Sequence, residues 1–123
     1  MTTNSKHLKE QILLALAQLP VGFATSYANV AFRAGLPGYH RLVARVLREL
    51  PEGSQIAWFR VMTASRKPAF AVGAAAYRRQ QENLALEGVL LDGGRVALRQ
   101  WLPAVEGPSP ASTRSISRSK AKS

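Results

Sequence analysis

Thr25-Ser26-Tyr27-Ala28-Asn29-Val30-Ala31-Phe32-Arg33-Ala34-Gly35-Leu36-Pro37-Gly38-Tyr39-His40-Arg41-Leu42-Val43-Ala44-Arg45-Val46-Leu47-Arg48-Glu49-Leu50 reads as two short helices joined by a tight turn. Thr25 is placed to cap the first, which should run to about Ala34; Gly35 ends it and Gly35-Leu36-Pro37 makes the turn. The second helix should span Gly38 to Leu50, with Leu42, Val43, Val46, Leu47 and Leu50 on one side. Arg41, Arg45 and Arg48 then fall on the opposite side, spaced by four and three. Two helices around a glycine-containing turn are the helix-turn-helix pattern. The arginine stripe is either a solvated face or a nucleic-acid contact, and the charge of the whole chain favours the second.

That charge is +10, from 17 Lys and Arg against 7 Asp and Glu. A balance so basic points to a polyanionic partner, with duplex DNA ahead of a membrane surface. No segment approaches the roughly 20 apolar residues needed to cross a bilayer, and no signal peptide is evident, so a soluble cytoplasmic protein is expected, nucleoid-associated in a bacterium. Cysteine is absent, which excludes disulfides and thiolate metal sites. The two histidines, His7 and His40, and the one aspartate, Asp92, are scattered over different elements. No metal site, cofactor or hydrolytic centre is therefore expected.

Outward from the central stretch, residues 6–19 place Leu8, Ile12, Leu16 and Leu19 at helical spacing, with Ser5 as a cap and Pro20 as the stop. Pro51-Glu52-Gly53-Ser54 is a turn, Ile56 to Met62 a short extended or pocket-forming segment, and Ala64 to Pro68 a flexible loop. A further helix should run from about Ala75 to Leu86 and end at Gly88. Val89-Leu90-Leu91 and Val96-Ala97-Leu98 flank Asp92-Gly93-Gly94 as a β-hairpin, in the position of a wing. The expected fold is mainly α: a winged helix-turn-helix, with a three-helical core, a short hairpin wing and one additional helix, over residues 1–103. Residues 104–123 read as a disordered basic tail rich in Ser and Pro.

From Ser26-Tyr27 through Arg41 to Trp58-Phe59-Arg60-Val61, the chain resembles the DNA-binding domain of O6-alkylguanine-DNA alkyltransferases. The resemblance extends over about Lys6 to Pro103. In that family the last motif reads Pro-Cys-His-Arg-Val, and the cysteine thiolate, activated by its neighbours, accepts the alkyl group. Trp58 stands at the cysteine position, Phe59 at the histidine, and Leu50 where an asparagine belongs; Glu87 alone keeps its place in the polar relay. Tryptophan for cysteine marks the alkyltransferase-like proteins, which bind alkylated guanine in DNA without repairing it and pass the lesion to nucleotide excision repair. The resemblance thus implies a monomeric, non-enzymatic sensor of O6-alkylguanine in duplex DNA, with excision-repair proteins as partners.

The same resemblance assigns roles. Arg41, 14 residues after Tyr27 as the family spacing requires, would enter the minor groove and fill the gap left by a flipped nucleotide. Tyr27 would help to turn its phosphate. Extrusion costs a few kcal/mol, and stacking on Trp58 would return roughly 1 to 3 kcal/mol per base. Tyr39, His40, Arg45 and Arg48 complete the DNA-binding set, Tyr39 and His40 being larger than the small residues usual ahead of the arginine, and Arg45 standing where glycine is common. Trp58, Phe59, Arg60, Tyr27 and Arg66 form the candidate lesion pocket. Phe59 is assigned to packing, Arg60 to either a structural hydrogen bond or a phosphate, and Arg66 or Lys67 to the lesion's edge, since Ala71 occupies the position that usually supplies that group. The competing readings are a winged-helix transcription factor, which would be dimeric with a defined operator, and a general DNA-binding protein indifferent to lesions.

Overall fold

The computed structural model describes residues 5–51 and 53–103; the expected tail, residues 104–123, lies outside them. Four α-helices alternate with very short strands: α1 Ser5–Ala17, β1 Ala24–Ser26, α2 Tyr27–Arg33, α3 His40–Arg48, a 3-10 turn Trp58–Arg60, β2 Val61–Met62, α4 Ala75–Leu86, β3 Leu91–Asp92, β4 Arg95–Val96, a second 3-10 turn Leu98–Gln100 and β5 Trp101–Leu102.

The helical core follows the apolar spacing. Ile12 and Leu16 of α1 are fully buried with Val30 and Ala31 of α2 and Val43 and Val46 of α3. Each large aliphatic side chain so enclosed stabilises the fold by about 1.5–3 kcal/mol. Leu19 is buried too, although α1 stops at Ala17. Gln11 Nε2 donates to the Ala34 carbonyl at 3.0 Å, tying α1 to the end of α2. That end is a Schellman motif: Leu36 N donates to Ala31 O and Gly35 N to Phe32 O, with Gly35 at φ 79°. Only a residue without Cβ takes that angle cheaply, so the expected turn is present.

Several boundaries differ from expectation, each for a local reason. Thr25 does not cap α2. Ser26 does, its Oγ accepting from Asn29 N at 3.0 Å. Thr25 is instead a strand residue, whose hydroxyl donates to Leu102 O at 2.8 Å and accepts from Asn29 Nδ2 at 2.8 Å. α1 already includes Ser5, and α3 begins at His40 rather than Gly38, whose φ of 89° is incompatible with a helix. Ile56 to Met62 holds the 3-10 turn and β2. The 64–68 loop is a hydrogen-bonded turn, with Thr63 N on Lys67 O at 2.9 Å. The hairpin exists but is shorter than expected, Leu91 pairing with Val96 and Asp92 with Arg95 across Gly93-Gly94, both at positive φ. The three-stranded parallel sheet in the order β2-β1-β5 has no counterpart in the sequence reading.

A second cluster, Ala24, Met62, Leu84, Val89 and Val96, joins the sheet to α4 and the hairpin. Arg60, in the turn before β2, is about nine-tenths buried. Its Nε donates to Glu87 Oε1 at 2.9 Å, its Nη2 to the other carboxylate oxygen, and its Nη1 to Leu19 O at 2.8 Å. Glu87 also accepts from Gly22 N at 3.4 Å. Arginine's planar fork makes such a bidentate, fully used arrangement possible. The hydrogen bonds from Arg60 hold the Glu87 carboxyl below the usual carboxylate range, against an opposing effect of burial.

Because the folded-state pKa is depressed, the unfolded chain binds the proton more readily, and stability rises with pH through that window. Glu87→Gln should cost on the order of 1–3 kcal/mol at neutral pH in chemical denaturation. The gap between wild type and variant should hold down to about pH 5 and narrow below the ordinary glutamate value of about 4.3. A gap independent of pH would contradict the pairing.

Candidate nucleic-acid interface

The basic face of α3 forms as its pattern dictates. Val43 and Val46 point inward, and Arg41, Arg45 and Arg48 are exposed. Tyr39 caps α3 through its backbone only, with no side-chain cap bond, and both Tyr39 and His40 are exposed where the helix begins. At 100° per residue, Arg41 lies between Arg45 and Arg48 and so crowns the outward face.

Tyr27 opens α2 directly after its cap and packs partly on the helical core. Burial pushes its phenol up from the ordinary value, outweighing the opposing charge of Arg48. The hydroxyl is therefore protonated at neutral pH and available as a hydrogen-bond donor.

Beside α3 opens a cleft of about 1110 Å³, walled by Tyr27 and Arg48 on one side, Trp58, Phe59 and Phe70 within, and Arg79 of α4. Trp58 belongs to neither buried core cluster and is only partly covered. Its indole meets Phe59 edge-on at 6.0 Å and 86°, and Phe70 at 6.2 Å and 84°. Such T-shaped contacts fix an aromatic plane without covering both its faces.

The turn carrying Trp58 is anchored from behind. Gln80, buried on α4, donates from Nε2 to Phe59 O at 2.9 Å and Val61 O at 3.0 Å. Arg60 settles its two candidate roles in favour of the structural one, its guanidinium being spent on Glu87 and Leu19 and lying 5.6 Å from the Phe59 ring centroid. Phe59 both packs against the second core cluster and lines the cleft.

Arg66 sits elsewhere. It has φ 69°, its Nε donates to Val96 O at 2.9 Å, and its carbonyl accepts from Val96 N, so it braces the hairpin and does not line the cleft. Lys67 is exposed and outside the cleft as well. A further cation that borders it, Arg79, and its neighbour Asn83 escaped the sequence reading. Asn83 Nδ2 donates to Arg79 O at 2.8 Å. Ala76, Arg79 and Asn83, spaced by three and four, gave the only signal available. Leu50 lines the cleft, and no cysteine exists in the chain to do so. Among the described residues no three His, Asp or Glu side chains converge as metal ligands, and no helix is long and apolar enough to cross a membrane.

Comparison with known proteins bears on this arrangement. Residues 7–89 match the family model described as 6-O-methylguanine DNA methyltransferase, DNA binding domain. A DNA base-flipping protein of Vibrio parahaemolyticus is 38% identical over 96 residues, covering 76% of this chain and 94% of that one. Alkyltransferase-like protein 1 of Schizosaccharomyces pombe is 28% identical over 75 residues, 61% of this chain and 69% of its own. Among solved structures, S. pombe Atl1 in complex with damaged DNA containing O6-carboxymethylguanine superposes with a TM-score of 0.65 over 78% of this chain and 89% of that one, at 22% identity. Mycobacterium tuberculosis OGT in complex with DNA gives 0.57 at 28% identity, over 71% of this chain and 51% of the other. The helices around the Trp58 cleft, the matched span and these relatives agree: the chain belongs to the family of the 6-O-methylguanine DNA methyltransferase DNA-binding domain.

Proposed function

We propose that this protein is a non-enzymatic sensor of O6-alkylguanine in duplex DNA. α3 enters the minor groove, with the β3–β4 hairpin as the wing. Arg41 fills the space of an extruded nucleotide, Tyr27 donates to its phosphate, and the base lodges in the cleft against Trp58. The observation that carries this reading is Trp58 itself, held partly open in a cleft directly beside a helix face bearing three exposed arginines. The names of the relatives, a base-flipping protein and an alkyltransferase-like protein, support it, as does the damaged DNA bound by the S. pombe structure.

Transfer chemistry has no foothold in this reading. The family reaction needs a thiolate and a base to generate it. Trp58, Phe59 and Leu50 supply neither, and the Glu87 carboxylate is engaged by Arg60. A sensor that leaves the adduct in place needs a successor, so we assign the hand-over to nucleotide excision repair proteins, with the sensor acting as a cytoplasmic, nucleoid-associated monomer.

Three outcomes are expected. In competition titration at physiological salt, the protein should prefer a duplex with one O6-methylguanine over its unmodified twin, and the recovered DNA should retain the adduct; equal binding to both would leave only a transcription factor or a general DNA binder. Trp58→Ala should reduce that preference by 1–3 kcal/mol of lost stacking, about fivefold to 150-fold, while binding to unmodified duplex persists. Trp58→Cys alone should show no alkyl transfer when assayed with labelled O6-methylguanine DNA, and a competent single variant would overturn the account of the missing relay.

A further inference from the structure

A second cleft, of about 510 Å³, lies between α1 and α3 and is lined by Lys6, Lys9, Leu42, Arg45, Val46 and Glu49. It shares no residue with the Trp58 cleft, which takes Ala44, Leu47 and Arg48 from α3. At 100° per residue those two sets face opposite flanks of α3, with Arg41 on the crest between them. One flank holds the aromatic pocket. The other holds three cations and a single acid.

The basic residues of this second cleft are not explained by the fold. Lys6, Lys9 and Arg45 are exposed, and none forms an ion pair among the described residues. Lys6 and Lys9 stand near the start of α1, whose first turn has no acidic residue. Positive charge at that end opposes the helix dipole, where an acid would stabilise it. Glu49, the C-cap of α3, is the single acid among the residues that line the cleft.

Duplex geometry says what fits there. A helix about 10–12 Å across enters the minor groove, about 6 Å wide in B-DNA, only by widening it, and then has a sugar-phosphate backbone along each flank. If the extruded base reaches the Trp58 cleft, its own strand must run along that flank, and the opposite strand runs along the other. Resting on the base-extrusion reading above, we propose that the α1–α3 cleft is a phosphate clamp for the strand opposite the lesion, with Lys6, Lys9 and Arg45 as its cations. The clamp holds the undamaged strand in place while Arg41 displaces the base from its partner. It reads no sequence and contributes affinity equally to damaged and undamaged duplex, so lesion preference resides wholly in the other flank.

The test is a salt titration by fluorescence anisotropy of the full chain, wild type and Lys6→Gln/Lys9→Gln, on a duplex with one O6-methylguanine and on its unmodified twin. It is repeated with methylphosphonate linkages beside the lesion on one strand or the other. Both lysines are exposed, so their replacement leaves the core untouched. The double variant should bind with a log–log salt slope shallower by about 1.8, from about 0.9 per phosphate contact. It should keep the wild-type ratio between modified and unmodified duplex, and respond more weakly to neutralising the opposite strand, where only Arg45 remains, while keeping the full response to the lesion strand. An unchanged slope, or a response weakened on the lesion strand instead, overturns the clamp. Absence of lesion preference in the wild type would overturn the reading on which the clamp rests, and is told apart because it appears before any substitution is made.

Discussion

The Arg60 guanidinium ties together three parts of the chain that are distant in sequence. It takes its charge partner from the end of α4, a backbone carbonyl from the segment after α1, and sits within the turn that carries Trp58. An unpaired arginine so deeply buried would be costly, so every one of these partners is obligatory once the side chain is inside. Arg60 itself lies in sequence between Phe59, packed on the second hydrophobic cluster, and Val61, a member of the first. Gln80 adds the second fastening, binding the carbonyls on either side of Arg60 from the same helix.

This arrangement explains how the turn that carries Trp58 keeps its shape. Glu87 holds up the turn through its two hydrogen bonds from Arg60. Phe59 packs on the second core cluster, lies near the guanidinium and meets the Trp58 indole edge-on. Rigid backing matters for an aromatic platform, because stacking free energy is lost if the indole must first be ordered when the base arrives.

The parts of this protein that were legible in its sequence were those governed by local rules. α3 and its three arginines, the glycine that ends α2, and α4 with its bounds at Ala75 and Leu86 follow from periodicity and capping over eight or more residues. The parallel sheet was not legible, because strands of two or three residues are too short to show alternation, and parallel pairing is set by packing between distant segments. Thr25 was mistaken for the cap because Ser26 beside it is equally suited, and only the strand's demand on the Thr25 hydroxyl separates them. Arg66 was drawn toward the site by sequence proximity to Trp58, whereas its left-handed backbone turns it to the hairpin. Arg79 approaches the cleft from another helix, which no linear spacing could reveal.

The pairing of β1 with β5 bears on how the molecule assembles. Ala24 aligns with Trp101 and Thr25 with Leu102, and the Thr25 hydroxyl bridges to the Leu102 carbonyl across 77 positions of chain. The contacts of α2 with α3 close over a few residues, so the basic helix pair can form early, while the strand leading into Tyr27 waits on a closure that spans most of the folded chain. Local closure favours setting α3 in place before the strand that aims Tyr27. Substitutions in α2 and α3 should therefore slow folding, while those in β1 and β5 mainly speed unfolding.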